Sequence, residues 1–225
     1  MTSPLRLALF DCDGTLVDSQ HSIVAAMEAA FLAFDLAPPP AMQVRRVIGL
    51  SLEEAIARLL PDDCGRDPRQ LAEVYKQVFR QNRLAGVHED PLFPGMVAAL
   101  DALDRAGVLL GIVTGKTRRG LDAVLERHGL KGRFVTLQTA DIGPGKPDPA
   151  MVLRALGETG ADSRETVVIG DTSFDILMAR AARTRSIGVS WGYHHPGDLL
   201  EAGADKLVDG CDAIPPAILE LIGGL

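Results

Sequence analysis

Hydrophobic positions along the chain fall into two regimes. Short, nearly unbroken apolar runs stop at acidic, Gly or Thr residues, and most are separated by stretches whose apolar positions recur with a helical period. The first run, residues 5–10, stops at Asp11-Cys12-Asp13-Gly14-Thr15; residues 108–113 stop at Thr114-Gly115-Lys116, and residues 166–169 at Gly170-Asp171. Weaker runs cover 134–138 and 185–189, and 206–208 reads as a short edge strand. An uninterrupted apolar run suits a strand buried on both faces of a parallel sheet. Helical periods at 95–106, 117–128, 149–157 and 173–182 fill the intervals. The alternation predicts an α/β fold, a Rossmann-like doubly wound parallel sheet with helices on both faces.

One segment departs from that rhythm. From about residue 19 to residue 90 there is no strand signal. Ile23, Met27, Ala30, Phe31 and Phe34 share one helical face, and Pro38-Pro39-Pro40 ends it. Ser51-Leu52-Glu53-Glu54 has the pattern of a capping box ahead of Ile56, Leu59 and Leu60, and Leu71, Val74, Tyr75, Val78 and Phe79 mark another helix. The expected organisation is core residues 1–17, an inserted helical unit at 18–91, and the remaining core at 92–225.

In a doubly wound sheet the carboxyl ends of the strands share one edge, so Asp11, Asp13, Thr114 and Asp171 should converge there. Strand alternation sends Asp11 and Asp13 to one side, about 6–7 Å apart, where two carboxylates repel unless a cation intervenes. A hard divalent ion with oxygen ligands answers this, and Mg2+ suits a carboxylate site that also holds a phosphate. A solvated Asp-Gly turn would leave the same short motif. The convergence of several strand ends carries more weight than that motif alone.

Composition narrows the classes further. Hydrophobic residues at 47% and charged residues at 24% exclude a disordered chain. The 23 basic against 30 acidic side chains give −7, which lacks the footprint of a nucleic-acid or anionic-membrane binder. No apolar run approaches a membrane span, and residues 1–10 lack the layout of a signal peptide. Cys12, Cys64 and Cys211 are too scattered for a disulfide framework or zinc site, and Cys12 reads as a small buried hydrophobe. The expectation is a cytoplasmic protein, monomer or homodimer, with no nucleic-acid or membrane partner.

Taken together, the strand ends carry a family resemblance. Asp11-Cys12-Asp13-Gly14-Thr15-Leu16-Val17-Asp18-Ser19 resembles the first motif of the haloacid dehalogenase (HAD) superfamily, Thr114 its second, Gly145-Lys146-Pro147-Asp148-Pro149 its third, and Gly170-Asp171-Thr172-Ser173-Phe174-Asp175 its fourth. All four occur in order, and the insertion lies where the C1-type cap of that superfamily lies. Arg45-Arg46-Val47-Ile48-Gly49-Leu50-Ser51-Leu52-Glu53 adds a likeness to the phosphoglycolate phosphatase-like branch. The resemblance implies a Mg2+-dependent phosphatase acting on a small phosphate monoester. Asp11 would be the nucleophile, Asp13 the general acid and base, with Thr114 and the Gly115 amide on the phosphoryl oxygens. Lys146 would neutralise charge, and Lys116 is placed with Gly115 on the substrate. Asp11, Asp171 and the Asp13 backbone carbonyl would ligate Mg2+, with Asp175 acting through water or by positioning Lys146. Arg45 and Arg46 are candidates to read the leaving group, with at most one of them facing the cleft.

Rival readings are weaker. Gly115-Lys116-Thr117 lacks the earlier glycine of a P-loop, since Leu110 stands there. No Gly-x-Gly-x-x-Gly follows a strand, and no Cys is followed six residues later by Arg. The neighbours His194 and His195 diverge too far for a metal site, and Trp191 and Tyr193 read as packing residues. Within the superfamily, Asp13 and Thr15 disfavour a dehalogenase, and the absence of lysine from 22–42 disfavours a phosphonatase. A sugar-phosphate mutase of the beta-phosphoglucomutase type remains the alternative, although mutases tend to carry Val where Thr15 stands. A non-enzymatic phospho-receiver or binding module also uses an acidic cluster, Thr and Lys, but lacks an inserted helical unit of this size.

Overall fold

The computed structural model describes residues 4–62, 64–87 and 89–222, so the outer ends of the expected core segments lie outside it. Six parallel strands form one sheet: β1 (Leu7–Phe10), β2 (Leu109–Thr114), β3 (Thr136–Thr139), β4 (Thr166–Gly170), β5 (Arg185–Val189) and β6 (Lys206–Val208). Their order is β3-β2-β1-β4-β5-β6, so the winding reverses between β1 and β4. In open α/β sheets the crevice for a ligand opens outside the carboxyl ends at such a reversal. Asp11, just past β1, and Asp171, just past β4, flank it, and the Asp11 N–H continues the ladder to the Ile169 carbonyl at 2.9 Å.

Alternation along β1 explains its unbroken apolar sequence. Ala8 and Phe10 pack on one face with α5 (Met96–Arg105), α6 (Arg118–Arg127) and α10 (Ile214–Ile222). Leu7 and Leu9 pack on the other with α7 (Ala150–Thr159) and α8 (Ser173–Ala181). Every residue of the strand is buried, as a central parallel strand requires. A further helix, α9 (Pro196–Ala202), connects β5 to β6.

Between β1 and β2 lie four helices besides α5: α1 (Gln20–Leu32), α2 (Ala41–Val47), α3 (Leu52–Leu59) and α4 (Pro68–Leu84). They share their own apolar cluster of Ile23, Met27, Phe31, Val44, Ile56 and Leu71. Ser51 stands at the N-cap of α3 in extended geometry, yet its side chain makes no capping hydrogen bond, so the expected capping box does not form. Asp67 caps α4 instead, accepting from the Arg69 N–H at 3.0 Å. The chain enters and leaves this helical region through a narrow ribbon. The Asp18 N–H donates to the Pro91 carbonyl at 2.8 Å, the Phe93 N–H to the Leu16 carbonyl at 3.0 Å, and Val17 bridges Leu92 antiparallel.

Phe31 is among the largest fully buried side chains of that cluster. Phe31→Ala should therefore cost about 3–5 kcal/mol. Urea denaturation checks it as a lowered midpoint with an unchanged slope.

Candidate active site

Five side chains with formal charge meet on the carboxyl edge of the sheet with almost no exposure. Lys146 is fully buried, with its Nζ 2.7 Å from Asp11 Oδ1 and 2.6 Å from Asp175 Oδ1. Burial alone would push this ammonium down, but Asp11 and Asp175 outweigh it and hold it charged. Asp171, also fully buried, accepts from the Thr15 hydroxyl at 3.0 Å and from the Tyr193 backbone N–H at 2.9 Å. Carboxylate oxygens of Asp11, Asp171 and Asp175 lie within 4.8 Å of one another. Asp13 turns away from that trio. Its carboxylate accepts a short hydrogen bond from the Ser19 hydroxyl and pairs with Lys116 Nζ at 2.8 Å.

Local sequence explains each placement. Gly14 turns the chain at φ +83°, and a Cβ there would stand 2.2 Å from Asp171 Oδ2, so only glycine lets the two strand ends approach. Asp175 occupies the first turn of α8, where its Oδ2 accepts from the Thr172 N–H at 3.1 Å and the Thr172 hydroxyl at 2.7 Å. That leaves Oδ1 for Lys146, which makes Asp175 a positioning group. Asp171 lies ahead of α8 rather than on it, so the two acids meet through the strand-to-helix turn. Thr114 ends β2, buried, and its hydroxyl accepts from the Lys116 N–H at 3.2 Å.

Electrostatics make the trio incomplete. Burial, then Asp175, push the Asp11 carboxyl up to about 7 against the pull of Lys146. Burial, with Asp11 and Asp175 beside it, pushes Asp171 well up too, although Tyr193 and Thr15 oppose this. Asp11 Oδ2 is buried with no hydrogen-bond partner among the described residues. Three carboxylates against one ammonium leave two negative charges, which a divalent cation balances. Hard oxygen donors and an orphaned carboxylate oxygen fit such an ion.

A cavity of about 770 Å³ opens over Asp11 and Asp13. Asp11, Asp13, Thr114, Gly115 and Lys116 form the core side with the start of α6, and α1 to α4 with the loop after α2 supply the rest. Arg45 and Arg46 do not line it. On α2 the residues that line the cavity are Val44 and Val47; Arg46 is exposed, and Arg45 is half-buried with its Nε enclosed away from the cavity. A Cβ on Gly115 would meet the Leu50 carbonyl at 2.5 Å, so the backbone after α2 rests directly on this loop.

A sequence profile of the haloacid dehalogenase-like hydrolases matches residues 8–189. The chain belongs to this family. It is 37% identical over 206 residues to the probable phosphatase IndB of Dickeya dadantii, covering 90% of this chain and 89% of that protein. To the phosphoglycolate phosphatase of Agrobacterium fabrum it is 32% identical, covering 98% and 96%. The crystal structure of a hydrolase from Pseudomonas syringae superimposes with a TM-score of 0.83 at 28% identity, covering 96% and 99%. Phosphatases of the HAD family generally use a divalent metal, in keeping with the acidic trio.

Two HAD-site residues escape a reading of local sequence. Tyr193, expected only to pack, braces Asp171 through its N–H, while its hydroxyl accepts from the Ser19 N–H at 3.1 Å and its ring joins the α1–α4 cluster. His194 takes the Ser173 N–H on Nδ1 at 3.2 Å, and the tautomer with its proton on Nε2 donates to the Arg46 carbonyl at 3.1 Å. Their signal was only proximity to the end of β5. Trp191 does pack as expected, against Phe93, with its N–H on the Thr15 carbonyl at 3.3 Å.

Because the Asp11 pKa is raised on folding, protonation supports the fold below about 7 and that support fades as pH rises. In EDTA, the melting temperature should thus fall from about pH 5 to about pH 8. Added Mg2+ should reverse the fall at the alkaline end and do little at the acidic end, where protons occupy the carboxylates. Scanning calorimetry with and without Mg2+ reads both.

Proposed function

We propose that this protein is a Mg2+-dependent phosphatase that hydrolyses a small phosphate monoester through an aspartyl-phosphate on Asp11. The observation that carries the reading is Asp11 itself: buried on the cavity floor, with one oxygen on Lys146 and the other without a hydrogen-bond partner among the described residues. A carboxylate held in this way is oriented, dehydrated and available as a nucleophile.

Bound between Asp11, Asp171 and the Asp13 carbonyl, Mg2+ would supply positive charge to the phosphoryl oxygens and to Asp11. In the first step the Asp11 oxygen bonds to phosphorus as the ester P–O bond breaks, and the leaving oxygen takes a proton from Asp13. In the second step Asp13 takes a proton from water, whose oxygen attacks phosphorus and frees Asp11 and inorganic phosphate. Lys146 holds Asp11 in line and opposes charge that grows in the transition state. Thr114 and the Gly115 N–H hold phosphoryl oxygens. Lys116 is shared: it pairs with Asp13 and also lines the cavity, within reach of phosphoryl oxygens bound there.

The relatives support a phosphatase, and the phosphoglycolate phosphatase among them suggests phosphoglycolate or another small sugar or nucleoside phosphate as substrate. The cavity above the acids favours this over a phospho-receiver, which needs no chamber for a leaving group.

Asp11→Asn keeps the shape and removes the nucleophile. Turnover of para-nitrophenyl phosphate should fall at least about a thousandfold while the melting temperature holds or rises. Wild type quenched rapidly in acid should carry one phosphoryl group on Asp11 by mass spectrometry. Steady turnover by the variant, once reversion by deamidation is excluded, would remove the covalent route.

A further inference from the structure

The cavity is far larger than a two-carbon substrate needs. A volume of about 770 Å³ lies in the range that encloses a ligand of roughly drug size. Part of its wall is apolar and still open to solvent: Leu52 from α3 and Val74 and Phe79 from α4 are half-buried, and Leu84 at the end of α4 is exposed. Phosphoglycolate would leave those side chains facing water. An apolar section in the leaving group would cover them.

The lining also contains three arginines that the phosphoryl chemistry does not use. Arg80 and Arg83 lie on the last turns of α4, and Arg119 lies at the start of α6. Among the described residues none of the three makes an ion pair or side-chain hydrogen bond. The contrast with their neighbours is informative in a chain with surplus acid. Arg118 takes Asp122 at 3.0 Å and Lys76 takes Glu73 at 2.7 Å, while Arg119 and Arg80 beside them take nothing. Partial burial pulls the Arg83 guanidinium down, and the like charges of Arg119, Arg127 and Arg80 pull it further, with Asp90 opposing weakly. Clustered, unneutralised guanidinium groups are stabilised by an incoming anion. The phosphoryl group already has Lys146, Lys116 and the cation position on the cavity floor, so the anion these arginines fit is a different one.

We infer that the substrate is a phosphate monoester whose leaving group has an apolar middle and a second anionic group at its far end, held by Arg80, Arg83 and Arg119. The inference rests on the phosphatase reading and specifies its substrate class. It also moves the reader of the leaving group from α2, where Arg45 and Arg46 do not line the cavity, to the end of α4 and the start of α6.

The test uses a series of ω-phosphoryloxy alkanoic acids, beginning with phosphoglycolate and lengthening by single methylenes, each beside its methyl ester. With the Mg2+-loaded protein, kcat/KM for the acids should climb by up to about fourfold per methylene buried. The best acid should exceed phosphoglycolate by at least about tenfold, and its own ester by at least about fivefold. In Arg80→Ala/Arg83→Ala and in Arg119→Ala the acid-to-ester ratio should drop toward about one, whereas Arg69→Ala, exposed elsewhere on α4, should keep it. Ratios taken within one variant are insensitive to partial loss of folded protein. Phosphoglycolate as the best of the series, or acids no better than esters at every length, overturns the inference and leaves the phosphatase reading standing. Failure to turn over para-nitrophenyl phosphate in Mg2+ takes both down.

Discussion

Buried negative charge at one edge of the sheet is the constraint on which the rest of the structure depends. Asp11, Asp171 and Asp175 are withdrawn from water together, and desolvated like charges repel strongly enough that each needs an assigned partner. Lys146 answers for Asp11 and Asp175, while Thr15 and Tyr193 answer for Asp171. Acids and partners together come from four separate stretches of chain, so the site forms only when the strands that carry them are assembled. The residual imbalance suits a divalent cation, as phosphatases of this family generally use, and one Asp11 oxygen has no hydrogen-bond partner among the described residues.

The α1–α4 region is not a loose cover over this edge. His194 ties the start of α8 to the end of α2, Tyr193 ties Asp171 to Ser19, and the backbone at Leu50 rests on Gly115. Each contact joins the sheet edge that carries the charged groups to the helical region that shapes the cavity. Positioning of the phosphoryl group and selection of the leaving group are consequently mechanical neighbours, which is how binding energy remote from phosphorus can reach the reacting atoms.

Much of this was legible in the sequence because strand ends are where apolar runs meet polar residues. The bounds of β5 and β6 agree with the expected ones, and all six strands lie where the runs predict. Asp11, Asp13, Thr114 and Asp171 gather on one edge because they follow the carboxyl ends of parallel strands, whereas Lys146, in the loop between β3 and α7, was legible only through the family resemblance. What was not legible depends on contacts between distant residues. Thr15 reaches Asp171 across 156 positions, and no local pattern announces it. Helix α10 has no counterpart among the expected helices; Pro215 and Pro216 fall in its first turn, where proline is tolerated. Helix α2 has only two buried residues in seven, too few to set a period, so the side from which Arg45 and Arg46 project was decided by packing. Ser51 shows the converse, a strong local pattern that the surrounding structure does not use.

The ribbon at Val17 and Leu92 has a consequence for how such a protein diversifies. Entry and exit of the helical region lie side by side, so the core's chain path is interrupted and resumed at essentially one point. A different set of helices could be spliced there without rerouting any strand. Yet Val17 also bridges Asp13, and its carbonyl accepts the Gly14 N–H at 2.9 Å, so the splice point shares backbone with the acid. A transplanted specificity module would inherit the core's chemistry only if it left that short stretch undisturbed. Modularity in this architecture is bounded not at the edge of the insertion but a few residues inside the core.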